Sequence, residues 1–273
     1  MKRIKFKSLS SGSCGNCYFL GIFEDEEEGL GGQRCEAAVL VDAGVSPRRL
    51  KKELLREGIN LDCLGGMLIT HDHLDHIRSL GSYCKHLKLP VWLTPEISKV
   101  LSRHFMTAKY LGGVRRELSE GWNEIVPGRI SARYFLVPHD ASQTVGYAIR
   151  IDGYRFLIMT DAGRMTGEAA QLASAADTVV IESNYDYEML RNGPYTKALQ
   201  DRICGGHGHL SNAECADAVA GFAHEGLRNV FLCHLSEHNN TPQLAFDCTR
   251  KVLDPAVRLV PLPRQTPSPL FEL

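Results

Sequence analysis

The segment Thr70-His71-Asp72-His73-Leu74-Asp75-His76 gathers three imidazoles and two carboxylates into seven residues. Imidazole nitrogen suits zinc, iron and manganese, and carboxylate oxygen suits harder ions. So short a segment cannot wrap four ligands around one small ion without strain, but it divides readily between two. His71 and His73, two apart in an extended turn, can point the same way. Asp75 and His76 fall at the start of the next helix and can serve a second ion. A polar loop capped by Asp72 or Asp75 is the competing reading of one His beside an Asp. Three imidazoles in step with Asp75 weigh against it.

Outward from this segment, short apolar runs end repeatedly in His or Asp. Ala37–Val41 ends at Asp42, Gly66–Thr70 at His71, Ile130–Val137 at Pro138-His139, Phe156–Thr160 at Asp161, and Val230–Cys233 at His234. Strand ends are rigid platforms, and the loops leaving them carry chemistry. The same patterning predicts strands at Ile4–Leu9, Cys17–Phe23, Val91–Leu93, Val145–Ile151 and Val179–Glu182. It predicts helices at Pro47–Glu57 (with Ser46 as N-cap and Leu50, Leu54 and Leu55 inward), Ile77–Lys85, Pro95–Phe105, Ala213–Ala223 and Thr241–Leu253. Ser10–Asn16 reads as a turn, Glu24–Arg34 as an exposed acidic loop, and the Pro-rich tail as irregular. With no short repeat and no Ser/Gly linker, residues 1–273 are expected to form one domain.

The bulk numbers narrow the class. The chain has 273 residues, 44% hydrophobic and 23% charged, with a formal net charge of -1. No global basic field marks a nucleic-acid binder, so an enzyme acting on nucleic acid would need a local patch. Lys85-His86-Leu87-Lys88, Arg103-His104, Lys109 and Arg115-Arg116 are the candidates, although solvated helix faces are the commoner reading. The 9 Cys follow no disulfide framework, the opening residues lack a signal-peptide apolar stretch, and no run reaches membrane-helix length. The expectation is a cytoplasmic protein with free thiols and no membrane contact. Cys14-x-x-Cys17 has no second CxxC nearby to make a zinc site with it.

The pattern His71-x-His73-x-Asp75-His76 resembles the HxHxDH motif of the metallo-β-lactamase superfamily. The family's further single-residue motifs find counterparts in order at Asp42, His139, Asp161 and His234. The resemblance covers nearly the whole chain and implies an α/β (α+β) fold, a four-layer αββα sandwich with its site along one edge. It assigns His71, His73 and His139 to one metal and Asp75, His76 and His234 to another, with Asp161 bridging and Asp42 structural. His73 stands where the oxygen-reducing di-iron members carry Glu, and no β-CASP-like insertion is evident between Asp161 and His234.

Further stretches are similar to the YycJ/WalJ-type hydrolases, a bacterial group associated with 5′-to-3′ exonuclease action on DNA. They are Ser10–Cys17, Glu182-Ser183-Asn184-Tyr185-Asp186, Gly208–Asn212 and His234–Pro242. Cys14 replaces a usual Ser, and Tyr185 a common His. Glu182 and His209 also resemble the proton-donating pair of tRNase Z-like phosphodiesterases, since a carboxylate bonded to imidazole keeps a proton available near neutral pH. Ser11, Ser13 and Asn16 offer hydroxyl and N–H groups for a phosphate, with a plain hairpin turn as the alternative.

The resemblance therefore implies a hydrolase with two divalent ions (Zn, Mn or Fe), cleaving DNA through a metal-bridging hydroxide. Asp75 orients the nucleophile, and His209 backed by Glu182 protonates the leaving 3′ oxygen. The alternatives are a small-substrate hydrolase (a cyclic-nucleotide phosphodiesterase, lactonase or thioesterase) and a non-catalytic, metal-stabilised binding module.

Overall fold

The computed structural model describes residues 2–25 and 33–273. It contains two seven-stranded sheets. The strands are β1 (Arg3–Gly12), β2 (Gly15–Asp25), β3 (Gln33–Val41), β4 (Leu64–Leu68), β5 (Val91–Leu93), β6 (Arg115–Glu117), β7 (Asn123–Val126), β8 (Ile130–Val137), β9 (Thr144–Ile151), β10 (Tyr154–Met159), β11 (Thr178–Glu182), β12 (Asn229–Cys233), β13 (Arg258–Pro261) and β14 (Phe271–Glu272). The first sheet runs β14-β1-β2-β3-β4-β5-β6 and the second β13-β12-β11-β10-β9-β8-β7. The helices are α1 (Pro47–Arg56), α2 (Leu74–Ile77), α3 (Leu80–His86), α4 (Pro95–Leu101), α5 (Ala108–Leu111), α6 (Gly167–Ala173), α7 (Tyr187–Asn192), α8 (Lys197–Ile203), α9 (Asn212–Phe222) and α10 (Pro242–Arg250).

The central parallel strands of the second sheet are apolar on both faces, as strands covered on both sides must be. In β10 to β12, Phe156, Ile158, Val180, Phe231 and Cys233 face the first sheet. Their alternating neighbours Leu157, Met159, Val179, Ile181, Val230 and Leu232 pack against Ala169, Cys215, Val219 and Ala245 of the outer helices. Phe6 of β1 meets Phe156 and Phe231 across the interior, with ring centroids 5.4 and 4.9 Å apart. Leu50, Leu54, Tyr83 and Ile97 close the outer side of the first sheet. Helix, sheet, sheet and helix make the expected αββα sandwich.

Several local readings need correction. The predicted turn at Ser10–Asn16 is mostly strand: β1 runs through Gly12 and β2 starts at Gly15, leaving Ser13-Cys14 as the turn. Glu24 and Asp25 belong to β2 and Gln33 and Arg34 to β3, and the rest of the expected acidic loop lies outside the described residues. The helix expected over Ile77–Lys85 is split. His76 O accepts from Ala43 N at 2.7 Å, and Ser79 N donates to Ala43 O at 3.0 Å, so this stretch is tied to the end of β3 instead of to its own helix. Leu55 is 54% exposed because it falls one residue beyond the Leu50/Leu54 stripe. The tail is not wholly irregular: β13 pairs with β12, and β14 with β1. Edge pairing of this kind is decided by a distant strand and leaves little local signal.

Candidate metal centre

The sandwich brings Asp42, His71, His139, Asp161 and His234 to one edge, each just past a strand. Asp42, Asp161 and His234 adopt positive φ of 63°, 52° and 54°. Non-glycine residues rarely do so, and such backbone is held only where its surroundings over-determine it. His234 N donates to Ser11 Oγ at 2.9 Å, Gly163 N to Pro138 O at 2.7 Å, and Asp42 N to Leu68 O at 2.8 Å. Each strand end is thereby fixed to a neighbouring segment.

The potential ligand atoms fall into overlapping groups, each with its atoms within 4.8 Å of one another. One is His71, His73 and His139; another is Asp75, His76 and His234; a third joins His71 and His76 to Asp161. Asp161 therefore stands between the first two. Its Oδ2 is 3.1 Å from His76 Nε2 and its Oδ1 is 3.8 Å from His139 Nε2.

Outer partners fix which nitrogen faces inward. His76 Nδ1 donates to Asp42 Oδ2 at 2.7 Å, and Asp42 Oδ1 accepts from Thr70 N at 2.8 Å. His139 Nδ1 donates to Gly208 O at 2.8 Å. Gly208 is required there, since a Cβ would lie 2.0 Å from Ile203 O. His234 Nδ1 donates to Glu182 Oε1 at 2.8 Å. In each case Nε2 is left turned toward the centre, the arrangement metal-binding histidines use. The Nε2 atoms of His71, His139 and His234 are buried without a hydrogen-bond partner. Orphaned imidazole nitrogens converging beside carboxylates fit a divalent metal centre.

The electrostatics agree. Burial holds His71 and His139 below the ordinary imidazole range. Burial pulls His76 and His234 the same way, but it is outweighed. Asp42, Asp161 and Asp75 raise His76, and Asp161, Asp75 and Glu182 push His234 up to about 10. Asp75 and Asp161 are held low by the facing imidazoles despite their burial. The negative potential that attracts a proton to His76 and His234 also attracts a metal cation, which must displace that proton to bind.

Glu182 has two imidazole partners where the sequence suggested one. Its Oε1 accepts from His209 Nδ1 and from His234 Nδ1, both at 2.8 Å. Its Oε2 accepts from Ala162 N at 2.9 Å and Leu210 N at 3.1 Å. Burial would raise Glu182, but His209 and His234 overrule it and keep it below the ordinary carboxylate range. His209 is raised in turn, because Glu182 outweighs the effect of burial. The capping box of Ser211 and Glu214 starts α9 two residues after His209 and fixes its position. The His209 ring lies 5.0 Å from that of His139 and 5.3 Å from that of His234.

The three suggested phosphate-binding residues separate. Ser13 lines the cleft. Asn16 is buried beneath it, with Nδ2 donating to Asp75 Oδ2 at 3.1 Å. Ser11 is fully buried, its hydroxyl engaged by His234 N and 2.8 Å from Tyr18 Oη. Cys14 is exposed and Cys17 buried, both as free thiols. Sequence reasoning missed Asp140, whose Oδ1 lies 3.3 Å from His139 Nε2 and whose carboxylate is paired with Arg202. Its place directly after His139 was the available signal. The cleft over the cluster holds about 380 Å³, and Tyr195, Arg202 and His238 form its far wall.

A model of the beta-lactamase superfamily domain matches residues 37–235, and the chain belongs to that family. It is accordingly a metal-dependent hydrolase. It is 29% identical over 254 residues to Exodeoxyribonuclease YycJ of Bacillus anthracis, covering 92% of this chain and 89% of that protein. It is 30% identical over 244 residues to Exodeoxyribonuclease WalJ of Streptococcus pneumoniae, covering 88% and 85%. Its fold is similar to the crystal structure of the metallo-beta-lactamase fold protein YhfI from Bacillus subtilis, with a TM-score of 0.68, 15% identity and 100% of both chains covered. Among the described residues no helix is long and apolar enough to cross a membrane.

Proposed function

We propose that this chain is a dinuclear metal-dependent phosphodiesterase that shortens DNA from its 5′ end. The observation that carries this reading is the Glu182–His209 pair, whose polar atoms lie within 4.8 Å of those of Asp161 and His234. A positioned proton donor next to a metal centre suits departure of an alkoxide from phosphorus, whereas a thiolate leaving group hardly needs one. The likeness to the two exodeoxyribonucleases supports DNA as the substrate.

In this reading His71, His73 and His139 would hold one ion and Asp75, His76 and His234 a second, with Asp161 within reach of both groups. Zinc, manganese and iron all suit such mixed donors. When bound, divalent ions make water acidic enough to serve as a nucleophile near neutral pH and neutralise charge building on the phosphoryl group. Asp42 and Glu182 orient His76 and His234. Asn16 holds the Asp75 carboxylate, which is also placed to orient the attacking water. His209, with Nδ1 committed to Glu182, keeps Nε2 for the departing 3′ oxygen. Ser13, Tyr195 and Arg202 contact the terminal nucleotide from the walls of the cleft. Both sheets contribute to the one site, which supports residues 1–273 working as one domain.

The test is incubation of Mn- or Zn-loaded protein with 5′- and 3′-end-labelled duplex DNA, with Asp75→Ala as control. The expected result is metal-dependent loss of nucleotides from the 5′ end, absent in the control. Intact DNA alongside turnover of a cyclic nucleotide or a lactone would replace this reading with a small-substrate hydrolase, for which a cleft of about 380 Å³ is also large enough.

A further inference from the structure

Positive charge is unevenly spread along this chain. Residues 78–116 contain eight of its 31 Lys and Arg residues and a single acid, Glu96, although the whole chain has a net charge of -1. All eight are exposed: Arg78, Lys85, Lys88, Lys99, Arg103, Lys109, Arg115 and Arg116. Among the described residues only Arg115 of these has a carboxylate partner, Glu117 at 3.8 Å. Elsewhere cations are commonly neutralised, as Arg155 is by Asp177 and Arg133 by Glu168.

The fold runs these residues outward from the segment that carries His71 to His76. Arg78 caps α2, the helix that begins directly after His73. Gly81 in the first turn of α3 lies so close to the loop after α4 that a Cβ would meet Met106 O at 2.1 Å. That contact sets the loop carrying Arg103 against the start of α3. Further along, Lys85 and Lys109 converge on one ring, with their Nζ atoms 5.6 and 5.4 Å from the centroid of Tyr110. Arg115 Nη1 reaches back to Ser102 Oγ at 3.0 Å. The result is a strip of exposed charge, uncompensated except at Arg115, that starts at the end of α2 and follows α3 away from it. Seven helical residues span about 10 Å, or about three base-pair steps of duplex.

We propose that this strip is a docking surface for double-stranded DNA, which it grips through phosphates without reading sequence. The inference rests on DNA being the substrate, and it names the part of the protein that holds the uncut duplex while one end enters the cleft. Unpaired ammonium and guanidinium groups on a low-acid surface suit a regular polyanion, and releasing its counterions drives such binding.

The experiment is fluorescence anisotropy of a labelled duplex of about 30 base pairs. It compares wild type, K85E/K109E and the milder K85Q/K109Q between about 50 and 200 mM KCl. The expected result for the reversal is at least about 10-fold weaker binding at the lower salt. The slope of log K against log salt should be shallower by about two in both variants. KM for DNA should rise with kcat unchanged, and hydrolysis of bis-p-nitrophenyl phosphate should stay at the wild-type rate. Wild-type affinity and slope in both variants would overturn the proposal. So would lysine-dependent capture of phosphatidylglycerol vesicles in preference to DNA. Lysine-dependent duplex binding by a wild-type protein that leaves DNA intact would sustain the surface and remove the exonuclease reading instead.

Discussion

The two halves of the candidate centre are built differently. His71 and His73 come from the loop between β4 and α2, and Asp75 and His76 from α2 itself, so their spacing is covalent and visible as a motif. His139, Asp161, Glu182 and His234 come from four strand ends of the second sheet, and His209 from the segment before α9. The first half depends on one continuous loop-and-helix stretch, and the second on the pairing of β8 to β12. Substitutions in the two halves should therefore fail in different ways.

The largest effect is expected at the residue where the halves join. Asp161→Ala should abolish metal-dependent turnover and lower the affinity of both ions, read by metal titration. Retention of both ions at full affinity would separate the halves. Next is His209→Ala, which should keep its metal content and lose about 10²- to 10⁴-fold in kcat for DNA. Wild-type turnover in that variant would remove His209 from the mechanism.

Asp42→Ala sharpens the comparison on the loop side. It frees His76 Nδ1 and leaves Thr70 N without its acceptor. About 10- to 100-fold weaker metal binding is expected by calorimetry, with the fold retained by circular dichroism. The smallest effect lies in the strand-built half. Asp177 accepts Arg155 N and Nη2, both at 2.8 Å, and ties β10 to the start of β11 far from the cluster. Burial would raise this carboxyl, but Arg155 holds it below its ordinary value of 3.8. Its contribution is therefore complete above that value and fades as pH falls through the lower folded-state value. Asp177→Asn should cost about 1 kcal/mol in urea denaturation at neutral pH, and the difference from wild type should shrink in acid.

Legibility in the sequence followed the same division. The His71–His76 cluster was readable because ligand spacing within one loop is local. His139, Asp161 and His234 were readable only as ends of apolar strands, and their convergence came from a family resemblance, not from spacing. Glu182 bonding both His209 and His234 was not readable, because it depends on β11 and β12 lying side by side. Ser11 was misplaced for a related reason: the strand continues through it and buries its hydroxyl under His234. The place of Asp140 beside His139 was visible, but its pairing with Arg202, 62 residues further on, was not. Edge strands β6, β13 and β14 left little signal, their pairing being set by strands more distant in sequence.

Two ligand groups on one chain should hold two ions. Metal analysis of the purified protein, reconstituted with zinc or manganese and freed of loosely bound ions, tests it most directly. The expected result is two ions per chain, falling to one in a variant that removes His139. A single ion in the wild type, unchanged in that variant, would contradict it.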